Sequence, residues 1–131
     1  MECLRELCHA INPDAEITAH AVRIGHDNVM QVFDNCDVII EAFDDAASKA
    51  LLFSSHLTSG KLLVGVSGIA GIGTTDRITI RKIRKNCYIV GDEITGVSEA
   101  QKPFAPRVTV AAAKMAAIVL SKVLGDSLPP C

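Results

Sequence analysis

The sequence predicts an α/β domain of partial Rossmann-like type, with a mixed sheet in which a parallel βαβ core has an antiparallel extension. Two apolar runs, residues 37–43 and 62–66, flank a stretch of helical composition over 46–57 and are joined to it by short connections, as in a right-handed βαβ unit. The uninterrupted Val38-Ile39-Ile40 run is typical of a strand covered on both faces. Residues 77–83 and 87–90 then read as a hairpin, because their connection is too short for a helical crossover.

Composition indicates one globular domain and argues against several classes of protein. A length of 131 residues is usual for a single domain, and 49% hydrophobic with 21% charged residues argues against intrinsic disorder. Thirteen Lys+Arg against 15 Asp+Glu give a net charge of −2, so nothing points to nucleic acid or an acidic membrane as a partner.

Targeting and redox signals favour the cytoplasm. The start of the chain lacks the basic and apolar regions of a secretory signal, and no stretch offers the roughly 18 uninterrupted apolar residues that span a bilayer. The five cysteines are odd in number and widely spaced with no C-x-x-C pair, which indicates reduced thiols rather than disulfides or a zinc ribbon.

The amino-terminal third predicts a helix, a strand and a second short helix. Residues 2–10 form an amphipathic pattern that ends at Pro13, since proline cannot continue a helix. Residues 16–24 alternate as a strand does, and Asp27 or Asn28 can cap a short helix that runs to Phe33.

The carboxyl-terminal part predicts a long loop and a long helix. Residues 91–106 form a polar loop of a length that is usually functional or mobile. Residues 108–124 form a helix that Gly125 closes, and its nearly continuous apolar character predicts burial on more than one side. Core packing is the favoured explanation for this burial, and a subunit contact is the alternative.

Two adjacent aspartates, Asp44 and Asp45, follow the 37–43 strand directly. Ligands of open α/β sheets bind outside the carboxyl ends of the strands, where a carboxylate can hold Mg²⁺ on a nucleotide's phosphates. Helix capping is the competing interpretation, favoured by about two to one for a generic Asp, and two aspartates allow one residue for each role. Glu41 is stranger, because a carboxylate in a buried strand is costly unless it is paired or faces a polar crevice.

Residues 67–73 contain G-x-x-G-x-G, with Gly68 and Gly71 as its first glycines. This is the reverse of the dinucleotide fingerprint, so a tight turn is favoured over a phosphate cradle by about three to one. The backbone at such a turn can still lie close to a ligand.

A cluster of cations marks the predicted hairpin: Arg77, Arg81, Lys82, Arg84 and Lys85. They could attract an acidic partner, but protection of an edge strand from unwanted pairing is the favoured interpretation. The four histidines lack metal-ligand spacing and are interpreted as structural, and no serine or cysteine has the local signature of a nucleophile.

Four segments carry a family resemblance: 11–13 (INP), 37–45 (DVIIEAFDD), 66–71 (VSGIAG) and 105–107 (APR). With them the chain resembles the ThiF/MoeB family of sulfur-carrier adenylyltransferases, which are relatives of the ubiquitin-activating enzymes, and it is most similar to the branch linked to thiamine biosynthesis. The resemblance implies use of ATP and Mg²⁺ to adenylate the C-terminal glycine of a ubiquitin-like sulfur-carrier protein. It implies that Asp44 holds magnesium beside the phosphates, and more weakly that Asp45 contacts the nucleotide. It also implies that the Gly68–Gly71 loop lies beside the nucleotide or the carrier's tail.

The same resemblance predicts what this chain lacks. The family's Gly-rich first turn, its ribose-binding acidic residue, its arginine and its helix lysine have no counterpart here. Residues 1–125 are therefore expected to be a ThiF-type domain without its N-terminal Gly-rich part, followed by a tail over 126–131. The strand at 37–43 would lose its central neighbour, so we expect a homodimer through that edge, pairing with 16–24, or a complementing N-terminal half.

The predicted function is adenylyl transfer to a sulfur-carrier protein, by a chain that is weak or inactive alone. The alternative is a non-catalytic module that binds a carrier or partner enzyme. Half of a nicotinamide dehydrogenase is disfavoured, because no fingerprint or catalytic His or Tyr-Lys arrangement is present.

Overall fold

A computed structural model describes residues 2–96, 98 and 101–125 as four α-helices and four strands with one 3₁₀ turn. The helices are α1 (Glu2–Ile11), α2 (Val29–Val32), α3 (Ala46–His56) and α4 (Ala105–Leu124), the strands are β1 (Val38–Ile40), β2 (Leu62–Val66), β3 (Thr79–Arg84) and β4 (Cys87–Gly91), and the 3₁₀ turn is Thr75–Arg77. The tail predicted over residues 126–131 lies outside the described residues.

The four strands form one mixed sheet in the order β1-β2-β4-β3. β1 and β4 both run parallel to β2, and β3 pairs antiparallel with β4, so the predicted mixed α/β sheet is confirmed. β3 lies at the edge of the sheet and carries Arg81, Lys82 and Arg84, which is where cations discourage further strand pairing.

Apolar clusters cover both faces of the sheet. On one face α4 contributes to a cluster with β2 and β4, whose buried members are Leu62, Val64, Ile78, Val90, Ala111, Met115 and Ile118. On the other face α2 and α3 pack through Val29, Ile39, Leu52, Leu63 and Cys87. This two-sided cover explains the continuous apolar sequence of β2.

Core packing buries helix α4 on one side only within the described chain, which corrects the favoured prediction, whereas the alternative of a subunit contact stays a prediction. Its buried side chains, Arg107, Ala111, Met115 and Ile118, recur at helical spacing along a single stripe, whereas Leu120, Val123 and Leu124 are exposed. The helix lies on the outside of a one-sheet domain, so only one face meets the core. It also begins at Ala105, earlier than expected, because Pro106 is tolerated in the first turn.

Residues 16–24 do not form the predicted strand. They are free of regular structure, and no described backbone hydrogen bond joins residues 16–22 to a neighbouring strand. The alternating sequence favours a strand, but a strand also needs a partner, and in the described structure β1 pairs only with β2. The predicted pairing of 16–24 with β1 is therefore wrong.

A groove of 380 Å³ separates this segment from the free edge of β1. Its lining is mostly apolar and comes from 20–24, from α2 and the residue after it, from α3, and from β1 with the two residues that follow Glu41: His20, Val22, Ile24, Val32, Phe33, Ile40, Ala42, Phe43 and Leu52. Ile40 is 54% exposed, which is unusual for a strand of this apolar composition.

In the part of the chain that the structure describes, no helix is both long and apolar enough to cross a bilayer.

Candidate functional site

The carboxyl ends of the parallel strands β1, β2 and β4 lie at one edge of the sheet. We call this edge, with the residues that follow each strand (41–45, 67–74 and 92–95), the carboxyl edge. It is the place where ligands bind in open α/β sheets, and all four predicted site residues lie on it.

Asp45 is the N-cap of α3. Its carboxylate accepts a hydrogen bond of 2.8 Å from the backbone N–H of Ser48, and the hydrogen bonds from Ser48 lower the pKa of Asp45 below its usual value. The capping role that the sequence allowed for one of the two aspartates therefore falls to Asp45.

Asp44 is exposed, and no hydrogen bond or ion pair engages its carboxylate within the described chain. The adjacent caps and pairs are all formed by other residues, so this carboxylate is available to a cation from solution. It is the acidic side chain at the end of β1 that no structural role accounts for.

Glu41 is buried, with 1% of its surface exposed, and it is paired. Its carboxylate accepts two hydrogen bonds from Lys49 Nζ, at 3.0 and 3.2 Å, and one of 2.6 Å from the N–H of Phe43. Lys49 Nζ also donates to Val66 O at 3.1 Å. One ion pair thus joins the ends of β1 and β2 to α3 and fixes the chain that leads into Asp44. This pairing ends β1 at Ile40, three residues earlier than the predicted boundary.

Gly68 and Gly71 share a left-handed backbone, both with φ 78, but differ in their surroundings. A Cβ on Gly68 would lie 2.2 Å from Asp92 Oδ1 and 2.3 Å from Glu93 N, whereas a Cβ on Gly71 would meet nothing within 4 Å. The N–H of Gly71 donates to Lys102 O at 2.9 Å. Gly68 is therefore required by close packing against the turn after β4, and Gly71 only by its own backbone conformation.

Arg107, in the first turn of α4, joins three parts of the carboxyl edge although it is only 2% exposed. Its Nη2 donates to Asp92 Oδ2 at 2.6 Å, to Thr95 Oγ1 at 3.1 Å and to Gly68 O at 3.2 Å. Its Nη1 donates to Thr74 O at 2.9 Å. The sequence offered Arg107 only as part of a family motif, and Asp92 gave no signal, because the partners are far apart along the chain.

The carboxyl group of Asp92 makes folding dependent on pH. Burial by itself raises the pKa, but the N–H groups of Thr95 and Ile94, the Thr95 hydroxyl and Arg107 outweigh it and hold the pKa of Asp92 at about 2. A carboxyl group with a lower pKa in the folded than in the unfolded state stabilises the fold above the unfolded value of about 4, and this contribution is lost as the pH falls towards about 2.

We therefore expect Asp92→Asn to lower the free energy of unfolding by about 2 kcal/mol at pH 7. The gap between wild type and variant should narrow as the pH falls from about 5 to about 2, because protonated Asp92 then resembles asparagine. Urea unfolding across this range measures the gap. Asp34→Asn, at an exposed position away from the carboxyl edge, is the control, and a gap for Asp92→Asn that stays constant with pH would contradict the assignment.

The structure places the four predicted site residues in two neighbouring loops, and no described hydrogen bond joins Asp44 and Asp45 to Gly68 and Gly71. The apolar groove is lined by none of the four. Among the described residues, no group of three or more His, Cys, Asp or Glu side chains is arranged to hold a metal ion.

The fold and these motifs agree with one family of known proteins. The family model described as ThiF family matches residues 1–129. The chain belongs to the ThiF family. This membership confirms the resemblance on which the sequence interpretation rests.

The relatives that this ThiF-family chain resembles, and the proteins whose solved structures it resembles, are longer than the chain. It is 27% identical over 79 residues to "Adenylyltransferase and sulfurtransferase UBA4" of Candida glabrata, covering 60% of this chain and 18% of the relative. It is 28% identical over 69 residues to "Adenylyltransferase and sulfurtransferase MOCS3" of Aedes aegypti, covering 53% of this chain and 16% of the relative. The ThiF-family chain thus spans less than a fifth of the length of either relative.

The fold is shared with E. coli tRNA N6-threonylcarbamoyladenosine dehydratase, TcdA. Its complex with ATP superposes with a TM-score of 0.74 at 18% identity, over 96% of the ThiF-family chain and 65% of TcdA. The complex with AMP gives a TM-score of 0.72 at 17% identity, over 93% of this chain and 65% of TcdA. At this identity the likeness establishes the Rossmann-like fold.

Proposed function

We propose that the chain forms the carboxyl-edge part of an ATP-dependent adenylyltransferase that activates the C-terminal glycine of a ubiquitin-like sulfur-carrier protein. The observation that carries the proposal is Asp44, an exposed carboxylate without a described partner at the carboxyl edge of a ThiF-family sheet. Two relatives named adenylyltransferase and sulfurtransferase support the reaction class, and the ATP and AMP complexes of TcdA support the nucleotide.

Mg²⁺ fits Asp44 only when the phosphates of a bound nucleotide supply further ligands. Mg²⁺ takes one or two protein carboxylates together with substrate phosphates and water, so a lone free carboxylate suits it although the described residues contain no ready-made metal cluster. In the proposal Asp44 holds Mg²⁺, which supplies charge neutralisation at the phosphates. Asp45, whose carboxylate caps α3, contributes through the position of the helix start.

The Gly68–Gly71 loop supplies backbone rather than side chains to the proposed site. Because Gly68 is packed against the Asp92 turn, the loop is held in one position, where it can lie beside the nucleotide or the carrier's tail. Adenylyl transfer to a carboxylate requires mainly positioning and electrostatic stabilisation, so a rigid backbone surface and one metal-binding carboxylate are a sufficient contribution from this part of the fold.

A complementing partner is part of the proposal. Residues 1–125 act as a ThiF-type domain that lacks the Gly-rich turn, and the chain alone is weakly active or inactive. The free edge of β1 and the apolar groove beside it support completion of the sheet by a polypeptide that carries this turn, with homodimerisation as the second possibility.

ATP–pyrophosphate exchange with a carrier that ends in Gly-Gly tests the function. We expect no exchange by the chain alone, exchange when a polypeptide bearing the Gly-rich turn is added, and loss of at least about 100-fold in Asp44→Ala, the scale for a group that stabilises transition-state charge. Asp34→Ala, at an exposed residue away from the edge, is the matched control.

The molecular mass of the chain in solution, with and without the added polypeptide, is measured in the same samples. A stable monomer that does not change on addition of the polypeptide would exclude both forms of completion. Robust exchange by the chain alone, dependent on Asp44, would refute inactivity, and exchange unaffected by Asp44→Ala would refute the assigned site.

A non-catalytic carrier- or partner-binding module is the second candidate. It is favoured by the engagement of two cations near the carboxyl edge: Lys49 bonds Glu41, and Arg107 bonds Asp92. Neither is free to contact phosphates. This second candidate would be supported if the chain binds the carrier but ATP–pyrophosphate exchange is absent both with and without the added polypeptide.

The setting we propose is the cytoplasm, with a carrier of the thiamine-linked type. Free thiols at Cys3, Cys8, Cys36 and Cys87 support a reducing compartment. The likeness to the thiamine-linked branch of the family supports the choice of carrier.

A further inference from the structure

Residues 68–74 of the carboxyl edge, called loop 68–74 below, surround the buried guanidinium group of Arg107. Its first and last carbonyl groups, Gly68 O and Thr74 O, both accept hydrogen bonds from the guanidinium of Arg107, at 3.2 and 2.9 Å. A Cβ on Gly73 would lie 3.3 Å from Arg107 Nη1, so the loop also approaches the cation closely between its two ends.

A second turn is bound to the same guanidinium. Asp92 and Thr95 accept hydrogen bonds from Arg107 Nη2, and the N–H of Asp92 donates to Gly68 O at 3.1 Å. The N–H of Glu93 donates to Ser67 O at 3.1 Å. Glu93 itself has a left-handed backbone (φ 56), a conformation that a non-glycine residue holds only when its surroundings impose it.

We propose that Arg107 is a positioning residue that makes loop 68–74 and turn 92–95 a single rigid rim of the adenylylation site. The inference rests on the proposed function for the site, but the rigid rim itself is a property of the described contacts. Arg107 touches no substrate in this assignment; it acts by fixing the backbone that does.

Arginine suits this role for a geometric reason. The planar guanidinium presents donors in fixed directions, so one side chain can bond a carboxylate, a hydroxyl and two carbonyl groups at once. A lysine keeps the charge that Asp92 requires, but it has one nitrogen in place of Nη1 and Nη2 and so cannot bond Thr74 O together with the three partners of Nη2. Arg107→Lys therefore keeps the positive charge beside Asp92 and removes hydrogen bonds that hold the loops, so it tests the second role without the first.

Hydrogen exchange and nucleotide binding of Arg107→Lys test the proposal. We expect amide exchange in 68–74 and in 92–95 to rise together by at least tenfold while exchange in β2 and α3 stays at the wild-type rate. ATP affinity, measured with the chain and its complementing polypeptide together, should fall about tenfold. Ile118→Val, a core change on the same helix that is remote from the loops in sequence, is the control for general loss of stability.

Each outcome decides a different claim. Unchanged exchange in both loops, a rise in only one of them, or the same rise in Ile118→Val would overturn the single rim. If Arg107→Lys fails to fold, the comparison is made on Thr95→Val, which removes one acceptor of Arg107 and should loosen both loops in the same sense. Absence of ATP binding by the wild-type complex would remove the proposed function, while the exchange rates would still decide whether Arg107 unites the rim.

Discussion

Lys49→Met should lower the free energy of unfolding by about 3 kcal/mol, because it leaves the Glu41 carboxylate buried without its cation. Glu41 is 1% exposed, and its carboxylate has bonds only to Lys49 and to backbone N–H groups of Phe43 and Val66 in the described structure. Lys49 is itself 27% exposed at its side chain, which places the effect at the lower end of the range for a broken buried pair. Urea unfolding at neutral pH gives the measurement.

A double-mutant cycle separates the unpaired charge from the lost contacts. Glu41→Gln combined with Lys49→Met removes both charges, so the double variant should be more stable than Lys49→Met alone. Lys85→Met, at an exposed residue of the β3–β4 turn, should change stability by no more than about 0.5 kcal/mol. A loss below about 1 kcal/mol for Lys49→Met would show that the ion pair does not hold the carboxyl edge together.

Gly68→Ala should destabilise the chain by about 3 kcal/mol, whereas Gly71→Ala should cost about 1 kcal/mol. Both glycines have φ 78, a left-handed backbone conformation that an added Cβ makes unfavourable at either position. Only at Gly68 would the Cβ collide, at 2.2 Å from a carboxylate oxygen and 2.3 Å from a backbone nitrogen. The second partner is main chain, so a side-chain rotation cannot relieve the contact.

The pair of glycine variants is its own control, and thermal unfolding of both measures the difference. Equal losses would mean that the close approach of the Gly-rich loop to the turn after β4 is not maintained in solution. In that case the rigid rim inferred from Arg107 would lose its steric support as well. A large loss at Gly68 alone supports the close packing of the two segments.

The strands β1 and β2, the helix between them and the hairpin β3–β4 could all be predicted, because each is encoded by a local pattern. The cap at Asp45 and the helix end at Gly125 are of the same kind: each needs only the few residues around it. Family membership also followed from short motifs. Helix α4 begins three residues before the predicted position 108, because Pro106 is compatible with a first helical turn.

The alternating sequence of residues 16–24 could not show whether they form a strand, since a strand exists only where a neighbouring strand shares its backbone hydrogen bonds. The burial of α4 was overestimated for a related reason: apolar side chains are buried only where a second layer covers them, and Leu120, Val123 and Leu124 meet none in the described structure.

By itself, then, the sequence determined the class of fold, the family and the edge of the sheet that carries the candidate site. Only the tertiary structure decided the pairing of the other carboxylates of this edge: Glu41 pairs with Lys49, Asp92 with Arg107 and Glu93 with Arg81. With Asp45 engaged by its local cap, Asp44 is the carboxylate that no described contact engages. The physical reason is that periodicity and capping are interactions between near neighbours in the chain. The pairing of a buried charge, in contrast, depends on which distant segments the packed layers bring within hydrogen-bond distance.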